Sequence, residues 1–269
     1  MHIYRINFLF LMLFAISNAY ASYYPTSSWE ISSPEDEQVR ADNVDALVNL
    51  AFLDDSTQAV VVIKNGKIIS EKYAEGYDKN SHGTSWSMAK SYYAALIGIS
   101  IDKGEIVSLD DKVGDYLTYF NDERSEITIR DLLDMSSGLD FPKDEHETMF
   151  FQEDHLKYAM GVGVEKSAGL KFEYNNVNSM LLGDILIAAT GKKADLLLKE
   201  RILDHIGVTD YKLWKDENGN VLTYCCVDMS ARDYSKIGLL FSRNGNWDGK
   251  QLISKQYIDE TFQVVWDIT

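Results

Sequence analysis

Apolar residues recur with two distinct periods at the start of the chain, and these periods predict one helix and two strands. Residues 44–52 carry an apolar face at helical spacing, and residues 58–64 and 67–73 are β-rich runs joined by Asn65-Gly66. An Asn-Gly pair between two such runs is a strong short-range signal for a β-hairpin. We therefore expect a helix, with its cap and first turn at residues 33–35, followed by an antiparallel hairpin.

Beyond the hairpin the pattern is mostly helical. A polar loop at residues 75–85 leads into an apolar segment that predicts a helix over residues 88–100. Helical spacing recurs further along the chain at residues 127–134, 177–189, 196–206 and 230–241. Gly191 directly follows the second of these segments and is expected to act as its C-cap.

The order of these elements leaves the hairpin short of partners. A two-stranded hairpin is barely stable in water, so the sheet requires further strands. Near the end of the sequence, residues 261–265 are the remaining candidate for a strand. The elements divide into a first helix and hairpin at residues 36–80 and a mostly helical part at about residues 85–245.

The first 21 residues have the features of a secretory signal peptide. Arg5 precedes an apolar run at residues 6–16, and the small-residue site Ala19-Tyr20-Ala21 follows. The run is too short to span a bilayer stably, so cleavage before Ser22 is favoured over an uncleaved membrane anchor. We expect a mature domain at residues 22–269 that is periplasmic or secreted.

Charge and cysteine content narrow the possible partners. The chain has 26 Lys and Arg against 42 Asp and Glu, a net charge of −16. This excess of negative charge argues against nucleic acid and anionic membranes as partners. Cys225 and Cys226 are the only cysteines. An adjacent-pair disulfide is rare, so two small buried thiols are the expectation.

Candidate chemistry begins at Ser87 and Lys90. Three residues apart at the start of a predicted helix, they lie on the same face. A serine hydroxyl attacks poorly until a nearby group accepts its proton, and a lysine amine can do so. The helix N-terminus adds N–H groups that favour a developing anion. Ser100 and Lys103 repeat the spacing, and we interpret that pair as a solvated helix end without chemistry.

A second candidate lies before the helix predicted from residue 177. Tyr174 could relay a proton if a cationic neighbour lowered its pKa from about 10, and Asn176 could donate an amide N–H to a substrate carbonyl. Tyr119 and Asn121 have the same spacing. For either pair alone, a tyrosine packed at a helix start with an asparagine cap is the more economical interpretation.

Other hydrolase and metal signals are absent from the sequence. His146-Glu147 lacks a second histidine at position 150, so the zinc-protease pattern is not met. Four histidines also lack metal-ligand spacing: His82, His146, His155 and His205. We interpret them as surface or capping residues, and of these only His82 is close to the candidate site. No metal or organic cofactor is implied.

Five motifs, in register along the chain, resemble the serine β-lactamase-related family. They are WSMAKS at 86–91, ITIRDLL with SSGL at 127–139, FEYNNVN with LLG and TGK at 172–192, ARD with GLL at 231–240, and WDGKQL at 247–252. The family includes class C β-lactamases, DD-peptidases, related esterases and 6-aminohexanoate-dimer hydrolases. The resemblance covers roughly residues 43–259. It implies an α+β fold of the β-lactamase/transpeptidase type, with an antiparallel sheet, flanking helices and an inserted, mostly helical domain.

The resemblance also implies roles for the candidate residues. Ser87 matches the acylated nucleophile, Lys90 the lysine that activates it, Tyr174 the tyrosine that shuttles the proton, and Asn176 the asparagine that contacts the acyl side of the substrate. The backbone N–H of Ser87 would be one oxyanion donor. For Lys90 to serve as base, its pKa must lie well below the usual 10.4; a charged Lys90 would instead stabilise a deprotonated Tyr174. Both assignments of the base remain open.

The sequence departs from the family pattern in two places. Ala168-Gly169 stands where the family usually has Pro-Gly, and nothing after Asp259 matches the third motif, which lies on a C-terminal strand. We therefore expect the C-terminal strands to be missing. The leading interpretation is an exported serine hydrolase of a small-molecule amide or ester. The alternative is a non-catalytic ligand-binding or interaction protein that keeps the scaffold. β-Lactams, peptides, short amides and esters all suit the same nucleophile.

Overall fold

A computed structural model describes residues 23–140 and 148–266 of the chain. The predicted signal peptide, its cleavage site before Ser22, and His146 lie outside the described residues. Within the described part, no helix is long and apolar enough to cross a membrane. The helices are α1 (Ala41–Ala51), α2 (Ala89–Asp102), α3 (Ile129–Leu133), α4 (His155–Gly161), α5 (Asn176–Thr190), α6 (Ala194–Leu198), α7 (Ala231–Ser242) and α8 (Lys255–Thr261).

The strands form three small antiparallel sheets in the described residues. They are β1 (Ala59–Lys64), β2 (Lys67–Tyr73), β3 (His82–Thr84), β4 (Lys212–Leu213), β5 (Val227–Ser230), β6 (Asn246–Trp247) and β7 (Lys250–Gln251). The pairings are β1 with β2, β3 with β5 with β4, and β6 with β7. This combination of helices with antiparallel sheets confirms the predicted α+β class.

The first hairpin forms as the pattern predicts. Asn65 and Gly66 both have positive φ, 54° and 87°, as a two-residue turn between right-twisted strands requires. Helix α1 packs on the hairpin, and a small core forms between Val44, Val48 and Ile69. The predicted helix start at residues 33–35 is wrong: the chain there forms a turn, and α1 begins at Ala41 after Arg40.

Helices α2 and α5 form the centre of the main core. Most of α2 is buried around its whole circumference, and α5 is buried over most of its length. A helix that is apolar on all sides belongs in a core and not at a surface. Gly191 ends α5 with φ 71°, as expected for a C-cap. The two helices pack against each other, which brings their N-terminal ends, one carrying Ser87 and one carrying Tyr174, into the same region.

The sequence patterns do not predict the sheet formed by β3, β5 and β4. His82 pairs with Ser230, and Thr84 with Asp228, so two short segments far apart in sequence are joined. Strand β3 then leads directly into the turn that carries Ser87. The strand predicted at residues 261–265 is wrong, because α8 extends to Thr261 and the following described residues are irregular.

The contact between α2 and α8 leads to a stability prediction. Gly98 faces the ring of Tyr257, and a Cβ added there would overlap the ring atoms. The Tyr257 hydroxyl is held by the Ala94 carbonyl at 2.6 Å, so the ring has little room to move. We expect Gly98→Ala to lower the free energy of unfolding by about 1–3 kcal/mol.

A matched control exists in α7. Gly238 is exposed, and an added Cβ would meet nothing within 4 Å. Gly238→Ala should raise the free energy of unfolding by roughly 0.5–1 kcal/mol, since alanine is the better helix former. Urea unfolding of both variants measures the two changes, and equal effects would contradict the proposed packing of Gly98 on Tyr257.

Candidate active site

Ser87 lies on a single 3₁₀ turn, Trp86–Met88, between β3 and α2. The preceding residue, Ser85, is anchored to β5 in both directions. Its N–H donates to the Val227 carbonyl at 2.8 Å, and its Oγ accepts from the Val227 N–H at 2.9 Å. Trp86 then takes a left-handed conformation, with φ 45°. The chain therefore turns sharply at an anchored point, and the Ser87 side chain is exposed at the start of the helix.

Lys90 lies one helical turn after Ser87 and contacts its hydroxyl. The Lys90 Nζ donates to Ser87 Oγ at 3.2 Å and to the backbone carbonyl of Tyr224 at 2.6 Å. The first distance is at the outer limit at which an amine and a hydroxyl can exchange a proton directly. The sequence spacing that suggested the pair is thus matched by a hydrogen bond.

Tyr174 completes the group from the segment before α5. Lys90 Nζ lies 4.9 Å from the centre of the Tyr174 ring and 5.7 Å from the centre of the Tyr224 ring. A cation at these distances interacts favourably with an aromatic face. Tyr174 is 43% exposed, so one side of it is open to solvent. The structure therefore brings Ser87, Lys90 and Tyr174 together, with the lysine in the middle.

Asn176 lies two residues after Tyr174, at the first position of α5. The helix cap is its neighbour Asn175, whose Oδ1 accepts from the Val177 N–H at 2.9 Å. Asn178 is bound to Ser137 at 2.7 Å. The Oδ1 atom of Asn176 is buried and has no hydrogen-bond partner among the described residues. The capping role that sequence assigned to an asparagine thus belongs to Asn175 and not to Asn176.

In the duplicate motifs, the side chains of Ser100 and Tyr119 make structural contacts. Ser100 is fully buried and its Oγ accepts from Arg201 at 2.9 Å, so the expectation of a solvated helix end is wrong for this serine. The Tyr119 hydroxyl donates to Asp184 at 2.9 Å, and burial with this carboxylate raises the Tyr119 pKa. A buried, carboxylate-bound phenol stays protonated and is poorly suited to relay protons.

A segment that sequence reasoning missed, residues 224–226, passes beside the nucleophile. The Tyr224 carbonyl binds Lys90, and the Cys226 N–H donates to the Trp86 carbonyl at 3.3 Å. Cys225 and Cys226 are both buried, as expected, but they form an adjacent-pair disulfide, so the prediction of two free thiols is wrong. The segment therefore contacts the chain on both sides of Ser87.

His155 also differs from its sequence-based interpretation. It is 4% exposed, and its Nδ1 lies 3.0 Å from the Tyr224 hydroxyl. Burial lowers its pKa below the usual value. A surface or purely capping role is therefore wrong for His155. His82, in contrast, is exposed and lies 3.3 Å from Asp210, and His205 contacts Lys250 at 2.9 Å.

Tyr234 holds together the strands beneath the site. Its hydroxyl lies within hydrogen-bond distance of the Gly83 carbonyl, at 2.8 Å, and of the Val227 carbonyl, at 2.5 Å. Burial raises the pKa of Tyr234, so the phenol remains a donor at neutral pH. One side chain from α7 thus ties β3 to β5, the pair that positions Ser85 and the turn after it.

A cleft of about 700 Å³ opens on one side of the candidate site. It is bounded by α2, α7 and α8, is lined mainly by apolar groups, and reaches Met88 and Lys90. Its size falls within the range of small-molecule pockets. Next to it, Trp86 is 60% exposed and stands 6.4 Å from Trp214. Within the described residues, no group of His, Cys, Asp and Glu is arranged to hold a metal ion.

Sequence comparison relates the chain to a protein family and to a known amidase. A family model described as Beta-lactamase matches residues 53–236. The N-acetylmuramyl-L-alanine amidase of Bacillus subtilis (strain 168) is 25% identical in an alignment 174 residues long, which covers 53% of this chain and 39% of the amidase.

Solved structures share the fold at low identity. A proposed 6-aminohexanoate-dimer hydrolase of Bacillus anthracis superposes with a TM-score of 0.71 at 22% identity, covering 82% of this chain and 62% of that one. A proposed beta-lactamase of Bacteroides dorei DSM 17855 gives 0.68 at 21%, covering 82% and 68%. This chain thus spans about two fifths of the amidase and about three fifths of the hydrolase.

Proposed function

This chain belongs to the beta-lactamase family, and we propose that it is an exported serine hydrolase that cleaves an amide or ester bond through an acyl-enzyme on Ser87. The observation that carries the proposal is the contact of Lys90 Nζ with Ser87 Oγ at 3.2 Å, with the Tyr174 ring 4.9 Å from the same amine. A nucleophile, a proton acceptor and a second proton carrier are the parts that acyl transfer needs.

In the first half of the reaction, Ser87 Oγ forms a bond to the substrate carbonyl carbon as its proton passes to Lys90 or Tyr174. The backbone N–H of Ser87 lies in the first turn of a helix, where N–H groups lack intrahelical acceptors, and it donates to the developing oxyanion. The bond to the amine or alcohol then breaks, and the leaving group takes up the proton. Asn176, at the first position of α5, is assigned the role of donating its amide N–H to the acyl side of the substrate.

In the second half, water attacks the carbonyl carbon of the acyl-enzyme. Lys90 or Tyr174 accepts a proton from the water, the bond from carbon to Ser87 Oγ breaks, and Oγ regains a proton. The carbonyl of Tyr224 supports this cycle because it accepts one N–H of Lys90. A neutral amine can donate in this way and still direct its lone pair at Ser87. An ammonium can donate to both oxygens, so either assignment of the base fits the geometry.

The substrate is a small molecule with an amide or ester bond. Similarity to the N-acetylmuramyl-L-alanine amidase and to the proposed 6-aminohexanoate-dimer hydrolase favours an amide. Trp86, which is exposed directly beside Ser87 in the chain, favours a substrate with an apolar part. The signal-like sequence at residues 1–21 supports a periplasmic or secreted location, which N-terminal sequencing of the mature protein would test by finding Ser22 first.

Covalent labelling tests the proposed reaction. We expect a serine-directed fluorophosphonate to modify the full chain once, and peptide mass spectrometry to find the adduct on Ser87. Ser91, exposed four residues further along the same segment, is the internal control. An adduct on Ser91, or no adduct at all, would contradict the acyl-enzyme mechanism and favour a ligand-binding protein on the same scaffold.

A further inference from the structure

Tyr224 contacts the candidate active site through its backbone and contacts His155 through its side chain. Its carbonyl oxygen accepts from Lys90 Nζ at 2.6 Å, and its hydroxyl lies 3.0 Å from Nδ1 of His155. Tyr224 is 2% exposed and His155 is 4% exposed. A continuous buried path therefore runs from the imidazole, through one residue, to the amine that contacts Ser87.

The backbone that carries this carbonyl is irregular, so the Tyr224 side chain is one of the contacts that can set the position of the carbonyl. Tyr224 lies in a turn closed by the Cys225 N–H and the Leu222 carbonyl at 3.1 Å, before β5 begins at Val227. Ladder hydrogen bonds do not hold a residue in a turn as they hold one in a strand. Lys90 has a long, flexible side chain, so its Nζ lies where its acceptors hold it.

His155 is itself held firmly. It is the first residue of α4, and its backbone N–H donates to Asp216 at 3.0 Å. Its ring packs near the rings of Phe150 and Tyr224, at 6.2 and 6.0 Å. Desolvation lowers its pKa, while the nearby carboxylates of Asp216 and Asp154 and the backbone of residues 150 and 152 act in the opposite direction. The net result is an imidazole that is neutral at pH 7, with one ring nitrogen able to accept the phenol proton.

We propose that His155 is a positioning residue of this site: by holding the Tyr224 hydroxyl, it fixes the Tyr224 carbonyl that orients Lys90 Nζ toward Ser87 Oγ. His155 does not touch the reacting atoms. The role rests on the proposed function, since it matters for catalysis only if Lys90 acts on Ser87. A misplacement of about 1 Å in a catalytic group can lower a rate by about 100-fold, so a residue that acts through another can have a large effect.

Two substitutions break the path at different points. Tyr224→Phe removes only the hydroxyl, and His155→Leu removes only the ring that binds it. His155→Asn is the conservative variant, because the asparagine amide can reach roughly the position of Nδ1. Tyr119→Phe is the matched control, since it also removes a tyrosine hydroxyl that binds one side chain, Asp184, and that is part-buried.

The catalytic readout uses p-nitrophenyl acetate with the full chain. We expect kcat to fall by about 10- to 100-fold in Tyr224→Phe and His155→Leu with KM nearly unchanged, and His155→Asn to recover most of the loss. Tyr119→Phe should leave kcat within about two-fold. If His155 had a purely structural role, His155→Leu and His155→Asn would both lower thermal stability, and kcat would not fall selectively while KM stayed the same.

A second readout needs no turnover. Acetylation of lysines by N-hydroxysuccinimidyl acetate, followed by mass spectrometry, measures how tightly Lys90 Nζ is held. We expect Lys90 to react several-fold faster in Tyr224→Phe and His155→Leu than in the wild-type chain, while Lys103 is unchanged. Unchanged Lys90 reactivity in both variants, or the same increase in Tyr119→Phe, overturns the positioning role. A wild-type chain that hydrolyses no ester contradicts the proposed function instead, and the acetylation result still decides the role of His155.

Discussion

Replacing Ser87 by alanine is expected to abolish covalent labelling by a fluorophosphonate and to lower ester hydrolysis by at least about a thousand-fold. The reason is that the reaction forms a bond to Ser87 Oγ, and a variant without this oxygen cannot form the acyl-enzyme. Ser87 is exposed on a turn anchored by hydrogen bonds of Ser85. Removal of its hydroxyl therefore leaves the supporting contacts intact, and we expect the free energy of unfolding to change little.

The control for this prediction is Ser91→Ala. Ser91 is exposed and near Ser87 in sequence, so a general loss of reactivity at this end of α2 would affect both variants. We expect Ser91→Ala to be labelled at the wild-type rate. Labelling of Ser87→Ala at a comparable rate would refute the assignment of the nucleophile, whatever the outcome for Ser91.

Replacing Lys90 by methionine is expected to lower the rate of labelling of Ser87 by about 100- to 10,000-fold, the range typical of a lost general base. Methionine keeps an unbranched side chain of similar length but has no amine. It removes the contacts to Ser87 Oγ at 3.2 Å and to the Tyr224 carbonyl at 2.6 Å. The nucleophile then has no adjacent amine to accept its proton, while its position on the turn is unchanged.

Lys103→Met is the control, because Lys103 belongs to the duplicate Ser-x-x-Lys pair and lies just beyond the end of α2. We expect it to be labelled like the wild type. Stopped-flow measurement of the labelling rate separates this step from later hydrolysis of the acyl-enzyme. A Lys90→Met rate within about three-fold of the wild type would exclude Lys90 as the activating group and shift that role to Tyr174.

The local parts of the fold could be predicted from sequence because short-range rules decide them. The hairpin follows from Asn65-Gly66, which forms the turn with positive φ at both residues. The end of α5 follows from Gly191 in the same way. The pair Ser87 and Lys90 follows from helical spacing, since residues three apart share a helix face.

Sequence patterns did not predict the elements whose partners lie far away along the chain. Strand β3 is three residues long and contains Gly83, so it has no alternation of apolar and polar residues to detect. It exists because β5, far along the chain, pairs with it. Residues 261–265 have a strand-like composition, yet α8 and an irregular segment occupy that region. In each case a long-range contact outweighs a weak local preference.

The candidate site divides in the same way. Tyr174 and Asn176 were one of two candidate pairs in the sequence until the resemblance favoured them, and the structure brings Tyr174 against Lys90. Asn175, not Asn176, is the helix cap, a distinction that three neighbouring asparagines hide in the sequence. The Tyr224 carbonyl could not be predicted, because every residue has a backbone carbonyl and only its place in space makes one a lysine acceptor.

By itself, the sequence determined the hairpin, the apolar central helices and the resemblance to the family, and it proposed Ser87 and Lys90 as nucleophile and activating lysine. These features depend on residue type and on spacing within a few positions. Only the tertiary structure decided which of two Ser-x-x-Lys pairs has an exposed serine in contact with its lysine and which serine is buried against Arg201. It alone joined His155 to Tyr224 and Tyr224 to Lys90, because contacts between side chains and backbone atoms so far apart along the chain arise only when helices and loops pack together.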